Sequence, residues 1–147
     1  MTKQLIKGIH HVTATVDGAQ EDFDFYTKRL GQRLVKKTVN FDNHGVYHFY
    51  YGDEVGTPGT IMTTFPYRVQ GVRRGAIGTG QVAVTSFSAP AAAVDFWSAR
   101  LEGAGVAVRR RERFGLPVLT FRDPAGLQLE ITGNDEDERR PWTGGGI

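Results

Sequence analysis

Asp24-Phe25-Tyr26-Thr27-Lys28-Arg29-Leu30 and Asp95-Phe96-Trp97-Ser98-Ala99-Arg100-Leu101 are one pattern written twice. An Asp, two aromatics and an Arg-Leu pair recur in the same order, each 71 residues from its counterpart (95 − 24 and 101 − 30 alike). A constant offset over matched positions points to internal duplication, and that decides how the flanking segments are read. Ahead of the first copy, residues 9–16 have the β-branched content and alternation of a strand, broken at Asp17-Gly18. Phe23, Tyr26 and Leu30 fall at i, i+3 and i+7, which predicts a helix over 20–30 stopped by Gly31. Strand-like runs follow at 33–41, 46–51 and 60–65, separated by Asp42-Asn43-His44-Gly45 and by the glycine-rich stretch 52–59. The second copy repeats this order. Residues 81–87 read as a strand, and 91–101 as a helix with Val94, Trp97 and Leu101 on one face. Strands are expected at 106–111, 117–121 and 127–132. The fold class is therefore α+β, built as βαβββ twice.

Module one is expected over 8–66 and module two over 81–133, joined by a Gly- and Arg-rich linker at 67–80. Residues 134–147, charged and then glycine-rich, read as a flexible tail beyond a single domain ending at 133. The 147 residues suffice for one real core, and the absence of Cys excludes disulfide scaffolds, thiolate metal sites and a thiol nucleophile. Apolar runs fall short of the ~18 residues needed to span a bilayer, and Met1-Thr2-Lys3-Gln4 does not open a secretory signal. No membrane role is expected, and the expected location is the cytoplasm. A net charge of +2 does not point to nucleic acid, and the basic run Arg109–Arg113 lacks interleaved aromatics. Nucleophile-elbow, phosphate-loop and dinucleotide fingerprints are missing.

Several side chains carry chemistry. His10 and His11 are adjacent on the first predicted strand, so alternation sends them to opposite faces. Glu130 shares a period-2 face with Gln128, between Leu127, Leu129 and Ile131, and a carboxylate on an inner face needs a partner. Arg113 belongs to a run that reads as a solvated strand end. His44 lies in a turn. His48, among Tyr47, Phe49, Tyr50 and Tyr51, reads as a satisfied sheet histidine.

Ile9-His10-His11-Val12 on the first strand, with Phe121-Arg122-Asp123-Pro124-Ala125-Gly126-Leu127-Gln128-Leu129-Glu130, resembles the vicinal oxygen chelate superfamily of glyoxalases, bleomycin-resistance proteins and extradiol dioxygenases. Asp53-Glu54-Val55-Gly56-Thr57-Pro58-Gly59-Thr60-Ile61-Met62-Thr63, with Gly31–Thr38 and Tyr47–Tyr51, is similar to the N-terminal half of hydroquinone and chlorohydroquinone ring-cleaving dioxygenases. The resemblance implies a curved mixed β-sheet with helices on its outer face and ligands on its inner one. It implies Fe(II), or Mn(II), bound from equivalent strand positions: His11, Thr63, Gln81 and Glu130, of which His11, Gln81 and Glu130 can ligate. It also implies that His10, Thr13 and Arg113 surround a dihydroxybenzene-like substrate, with Thr120 standing where the family pattern places a Tyr. In that family the first-module His is completed by a His and a Glu from a fourth module. On that pattern His11 awaits partners and Glu130 is a relic of the duplicated motif, or a homodimer brings Glu130 of one chain to His11 of another; cis and swapped pairing stay open, and an open concave sheet edge also favours a homodimer. Two other readings stay open: a metal-free module that binds small aromatic molecules, as bleomycin-resistance proteins do, and an inert half of a longer dioxygenase.

Overall fold

A computed structural model describes residues 6–73 and 75–139. The chain runs β1 (His11–Val16), α1 (Ala19–Asp24), β2 (Arg33–Val39), β3 (Tyr47–Gly52), β4 (Ile61–Pro66), β5 (Thr85–Ala89), α2 (Val94–Gly103), β6 (Arg109–Arg113), β7 (Leu116–Arg122) and β8 (Gln128–Gly133). Each module closes its own four-stranded sheet, ordered β1-β4-β3-β2 and β5-β8-β7-β6. The first strand of each lies parallel to the last, and the remaining pairs are antiparallel. The two sheets are equivalent in detail. β4 and β8 have the same burial sequence, and Thr13 opposes Thr63 as Ser86 opposes Glu130. β5 begins four residues later than expected, at Thr85 where 81 was predicted, because Gln81 is held in a turn.

Strand alternation gives each sheet a helix-bearing face and an open face. Val12, Ala14, Phe49, Tyr51 and Met62 of sheet one join Phe87, Leu119, Phe121, Leu129 and Ile131 of sheet two in one apolar cluster with Phe25, Tyr26, Leu30, Val94 and Leu101 from the helices. The modules thus share a core through their helix sides. α1 passes directly into a π-helical turn, Phe25–Arg29, in which the Leu30 amide donates to the Phe25 carbonyl, five residues back. That widening turns the consecutive residues Phe25 and Tyr26 both inward, where heptad-like spacing had placed only Tyr26. The duplicated arginines meet: Arg100 Nε donates to the Arg29 carbonyl at 2.8 Å, and Arg29 donates to the Ala104 carbonyl. Guanidinium groups thereby satisfy carbonyls at both helix C-termini.

Buried polar groups sit inside this core. Tyr51 and Thr64 hydroxyls donate to Asp22 Oδ2 at 2.7 and 2.5 Å, while Asp22 Oδ1 has no partner. Tyr26, stacked on Tyr51 at 4.8 Å, donates to Asp123 Oδ2 of the Asp-Pro-Ala-Gly turn in module two. Burial, helped by the neighbouring Asp123 charge and opposed by the two hydroxyls, pushes the Asp22 carboxyl up to about 6.

Residues 134–139, expected to be part of a frayed tail, are tied back at several points. The Asn134 amide donates to the Ala89 carbonyl, and Asp135 accepts from the Ala91 amide. The rest of that expected tail, 140–147, lies outside the described residues. No helix among the described residues is long and apolar enough to cross a membrane.

Two outcomes follow from this packing. A carboxyl whose folded value exceeds its unfolded one stabilises the fold fully below the unfolded value and loses that contribution as pH rises through the folded one. Stability of the unaltered chain relative to Asp22→Asn should therefore fall from pH 4 to pH 7, by on the order of 2–3 kcal/mol, as read by urea unfolding at a series of pH values. Separately, the β6–β7 hairpin turns at Phe114-Gly115, both at positive φ (55° and 73°), with Phe114 93% exposed. Such a two-residue turn prefers Asn-Gly. Phe114→Asn should raise stability by about 1 kcal/mol, visible as a higher Tm.

Candidate functional site

The open face of sheet one is set by register. His11, Thr13 and Thr15 of β1 share a face with Thr63 of β4, Tyr50 and His48 of β3 and Lys36 of β2. The Thr63 hydroxyl donates to Thr13 Oγ1 at 2.8 Å, joining β1 to the sheet through side chains as well as backbone. Beside them, the His48 ring lies tilted against Phe65 and Tyr50, at centroid distances of 4.0 and 4.2 Å. Its Nδ1 lies 3.1 Å from the Tyr50 hydroxyl, and its buried Nε2 has no partner. Burial, with the charges of His11 and Lys36, lowers the His48 pKa and favours the neutral ring. The Lys36 ammonium sits 5.5 Å from the Tyr50 ring centroid. The result is an aromatic ledge of mutually tilted rings next to an exposed imidazole, a surface against which a flat ring can pack.

His10 departs from the expectation of opposite faces. β1 begins at His11, so the period-2 rule does not govern His10, and its Nδ1 comes within 3.1 Å of His11 Nδ1. The backbone there is held by the glycine-rich loop: the Gly59 amide donates to the His10 carbonyl at 2.8 Å. Asp53 Oδ1 caps that loop by accepting from the Val55 and Thr57 amides. Gly59 adopts a φ of 93°, open to glycine and strained for any side chain. The Gly-Thr-Pro-Gly-Thr stretch therefore works as a buttress for the histidine pair.

Module two puts different chemistry at the equivalent positions. Glu130 opposes Thr120 on β7 and Ser86 on β5, and is 4% exposed. Arg113 Nη1 donates to both carboxylate oxygens at 2.8 Å. Arg113, read from sequence as a solvated strand end, is the counter-charge of a buried acid. Thr120 donates to the Arg109 carbonyl at 3.3 Å. Gln81 was expected to open β5, either as a ligand or as a structural hydrogen-bonder. Its amide instead closes a turn, accepting from the Gly78 amide and donating to the Ala76 carbonyl. Counting two residues back from Ser86, as His11 stands two back from Thr13, the position equivalent to His11 is Val84.

An oxygen-activating Fe(II) centre takes two His and a carboxylate. His11 lies on one open face and Glu130, already bound by a cation, on the other. Among the described residues no group of three or more His, Asp or Glu converges. This donor set does not by itself fit iron or manganese. Removing Arg113 leaves a buried carboxylate unpaired, so Arg113→Met should cost about 2 kcal/mol. Arg113→Met/Glu130→Gln should recover most of it, both read by denaturant unfolding.

Comparison with known proteins agrees with this architecture. The profile of the Glyoxalase/Bleomycin resistance protein/Dioxygenase superfamily matches residues 8–131. The chain is 52% identical over 140 residues to the "Putative ring-cleaving dioxygenase MhqO" of Bacillus subtilis, covering 95% of this chain and 44% of that protein. It is 43% identical over 141 residues to the chlorohydroquinone/hydroquinone 1,2-dioxygenase of Sphingobium indicum, covering 93% and 44%. A solved dioxygenase-family domain from Frankia superposes with a TM-score of 0.70 at 20% identity, covering 89% of this chain and 95% of that one, which shows the shared fold. The chain spans less than half the length of the ring-cleaving relatives. With a duplicated βαβββ architecture and a superfamily match over nearly all of it, the chain belongs to the glyoxalase/bleomycin resistance/dioxygenase superfamily.

Proposed function

We propose that this chain supplies one wall of the active-site cup of a hydroquinone-type ring-cleaving dioxygenase, with His11 as a metal ligand and His10 and Thr13 facing the substrate. The observation that carries this reading is the pairing of the exposed His11 with the Tyr50–His48–Phe65 ledge on one open face. That ledge offers a dihydroxybenzene ring a stacking surface, with His11 beside it. The two-against-one donor deficit is met by a further pair of βαβββ modules packed over this face. A second copy of the chain brings the same exposed His11 and an Arg113-bound Glu130, so a homodimer by itself leaves the set short. When bound, Fe(II) or Mn(II) supplies Lewis acidity and an open position for O₂. The residues of this chain orient the ring and exclude water from one side of it. The His10–His11 contact contributes a proton position: with the two Nδ1 atoms in contact, one ring donates and the other accepts, so the tautomers of the two rings are coupled.

The likeness to the Sphingobium enzyme favours this reading over a metal-free binding module. The two are separated by binding and metal content. Saturation-transfer NMR with hydroquinone under nitrogen is expected to give binding that weakens several-fold in His11→Ala and Tyr50→Ala, and is unchanged in Glu130→Gln. Loss in Glu130→Gln of the same size would move the site to module two and overturn the assignment. Elemental analysis of protein grown with iron is expected to give well below one equivalent per chain. A tightly held full equivalent would show that the chain, by itself or as a homodimer, completes the ligand set without further modules.

A further inference from the structure

We infer that the open face of module two is a separate binding site for a small organic dianion, specifically a short aliphatic dicarboxylate. The argument begins with strand alternation. Arg109, Arg111 and Arg113 project from one face of β6, the same face as Thr120 and Glu130. With Arg29 and Arg122 they line a cleft of about 910 Å³. Its acidic lining residues are Glu130 and Asp123, and both are engaged. Glu130 is held by Arg113 through both oxygens, and Asp123 accepts from the Tyr26 hydroxyl and the Leu127 amide. The positive charge of the cleft is therefore not neutralised from within.

The individual arginines sharpen this. Arg122 donates to the Gly126 carbonyl and Arg29 to the Ala104 carbonyl. Among the described residues, the guanidinium groups of Arg109 and Arg111 meet no acceptor. Arg110, which points to the other face of the same strand, is paired with Asp95 on α2. One face of β6 is thus electrically matched, while the open face holds like charges side by side. Protecting a sheet edge from association needs only scattered charge of either sign, so edge protection does not account for a run of one sign around a cavity.

Ligand length follows from the strand. Alternate Cα atoms are ~6.6 Å apart along it, so forks extended side by side present two separate carboxylate positions. An extended adipate matches that spacing, placing one carboxylate on Arg109 and the other on Arg111, with bidentate geometry available at each. The Arg113–Glu130 pair forms the floor, where its neutrality removes a repulsive carboxylate from the anion's path.

Isothermal titration calorimetry of the whole chain at fixed ionic strength tests this, with adipate, succinate, acetate and inorganic phosphate as probes. Adipate is expected to bind saturably and about tenfold tighter than acetate. Arg109→Gln/Arg111→Gln, on an exposed edge strand, should lose about tenfold in adipate affinity. Lys7→Gln/Arg73→Gln, an equal charge change outside the cleft, should lose none. Adipate-induced shifts of arginine Nε–Hε signals in the unaltered protein provide a second readout, expected at two guanidinium groups. Equal affinity for acetate and adipate, tighter binding of phosphate than adipate, or equal loss in Lys7→Gln/Arg73→Gln would overturn the proposal. Neither result depends on His11 or on a metal, so the dioxygenase reading and this one fail independently.

Discussion

Two stacked tyrosines connect the halves of this molecule. Tyr51 hydrogen-bonds to Asp22 within module one, and Tyr26, lying against it, reaches Asp123 in the tight turn of module two. Both carboxylates are buried, and burial raises the pKa of each. Such groups are tolerated only where hydroxyl and amide donors replace the lost water. The network therefore restricts how the two modules can meet. Their helix-bearing faces are used in joining them, and this leaves both open faces available for something else.

That constraint explains why the two halves of the superfamily's ligand pattern do not collaborate within this chain. His11 and Glu130 occupy open faces of different sheets, and each has found its own local partner. His11 touches His10, and Glu130 is neutralised by Arg113. A guanidinium in module two takes the compensating role that a metal cation plays for an acid in such folds. Duplication gave both modules the same backbone, down to the burial sequence of β4 and β8. Side-chain divergence then gave one face imidazole and aromatic rings and the other a field of arginine.

Much of this was legible in the sequence because it depends on local rules. The repeated Asp-aromatic-aromatic and Arg-Leu pattern located both helices. Asp123-Pro124-Ala125-Gly126 marked a turn because its residues permit little else. Other features were not legible. Gln81 looked like the start of a strand, yet its amide is satisfied by turn backbone, a competition that short polar segments settle locally. His10 escaped the alternation rule because β1 begins one residue later. The inward turn of Phe25 came from π-helical widening, which an ideal 3.6-residue period does not anticipate. His48 read as a satisfied sheet histidine, yet its Nε2 has no partner, because a histidine among tyrosines looks the same in sequence either way.

The sequence by itself determined the duplicated βαβββ topology, the turns and the identity of the residues able to do chemistry. Periodicity and turn stereochemistry act over a few residues and are written directly in the chain. Tertiary structure decided which of those residues meet. That Arg113 satisfies Glu130, that Arg29 and Arg100 cap one another's helices, and that Tyr26 crosses to Asp123 are contacts between segments far apart in sequence. The last two arise from packing two equivalent modules through their helix sides and the first from the order of strands within sheet two, and no local pattern encodes either choice.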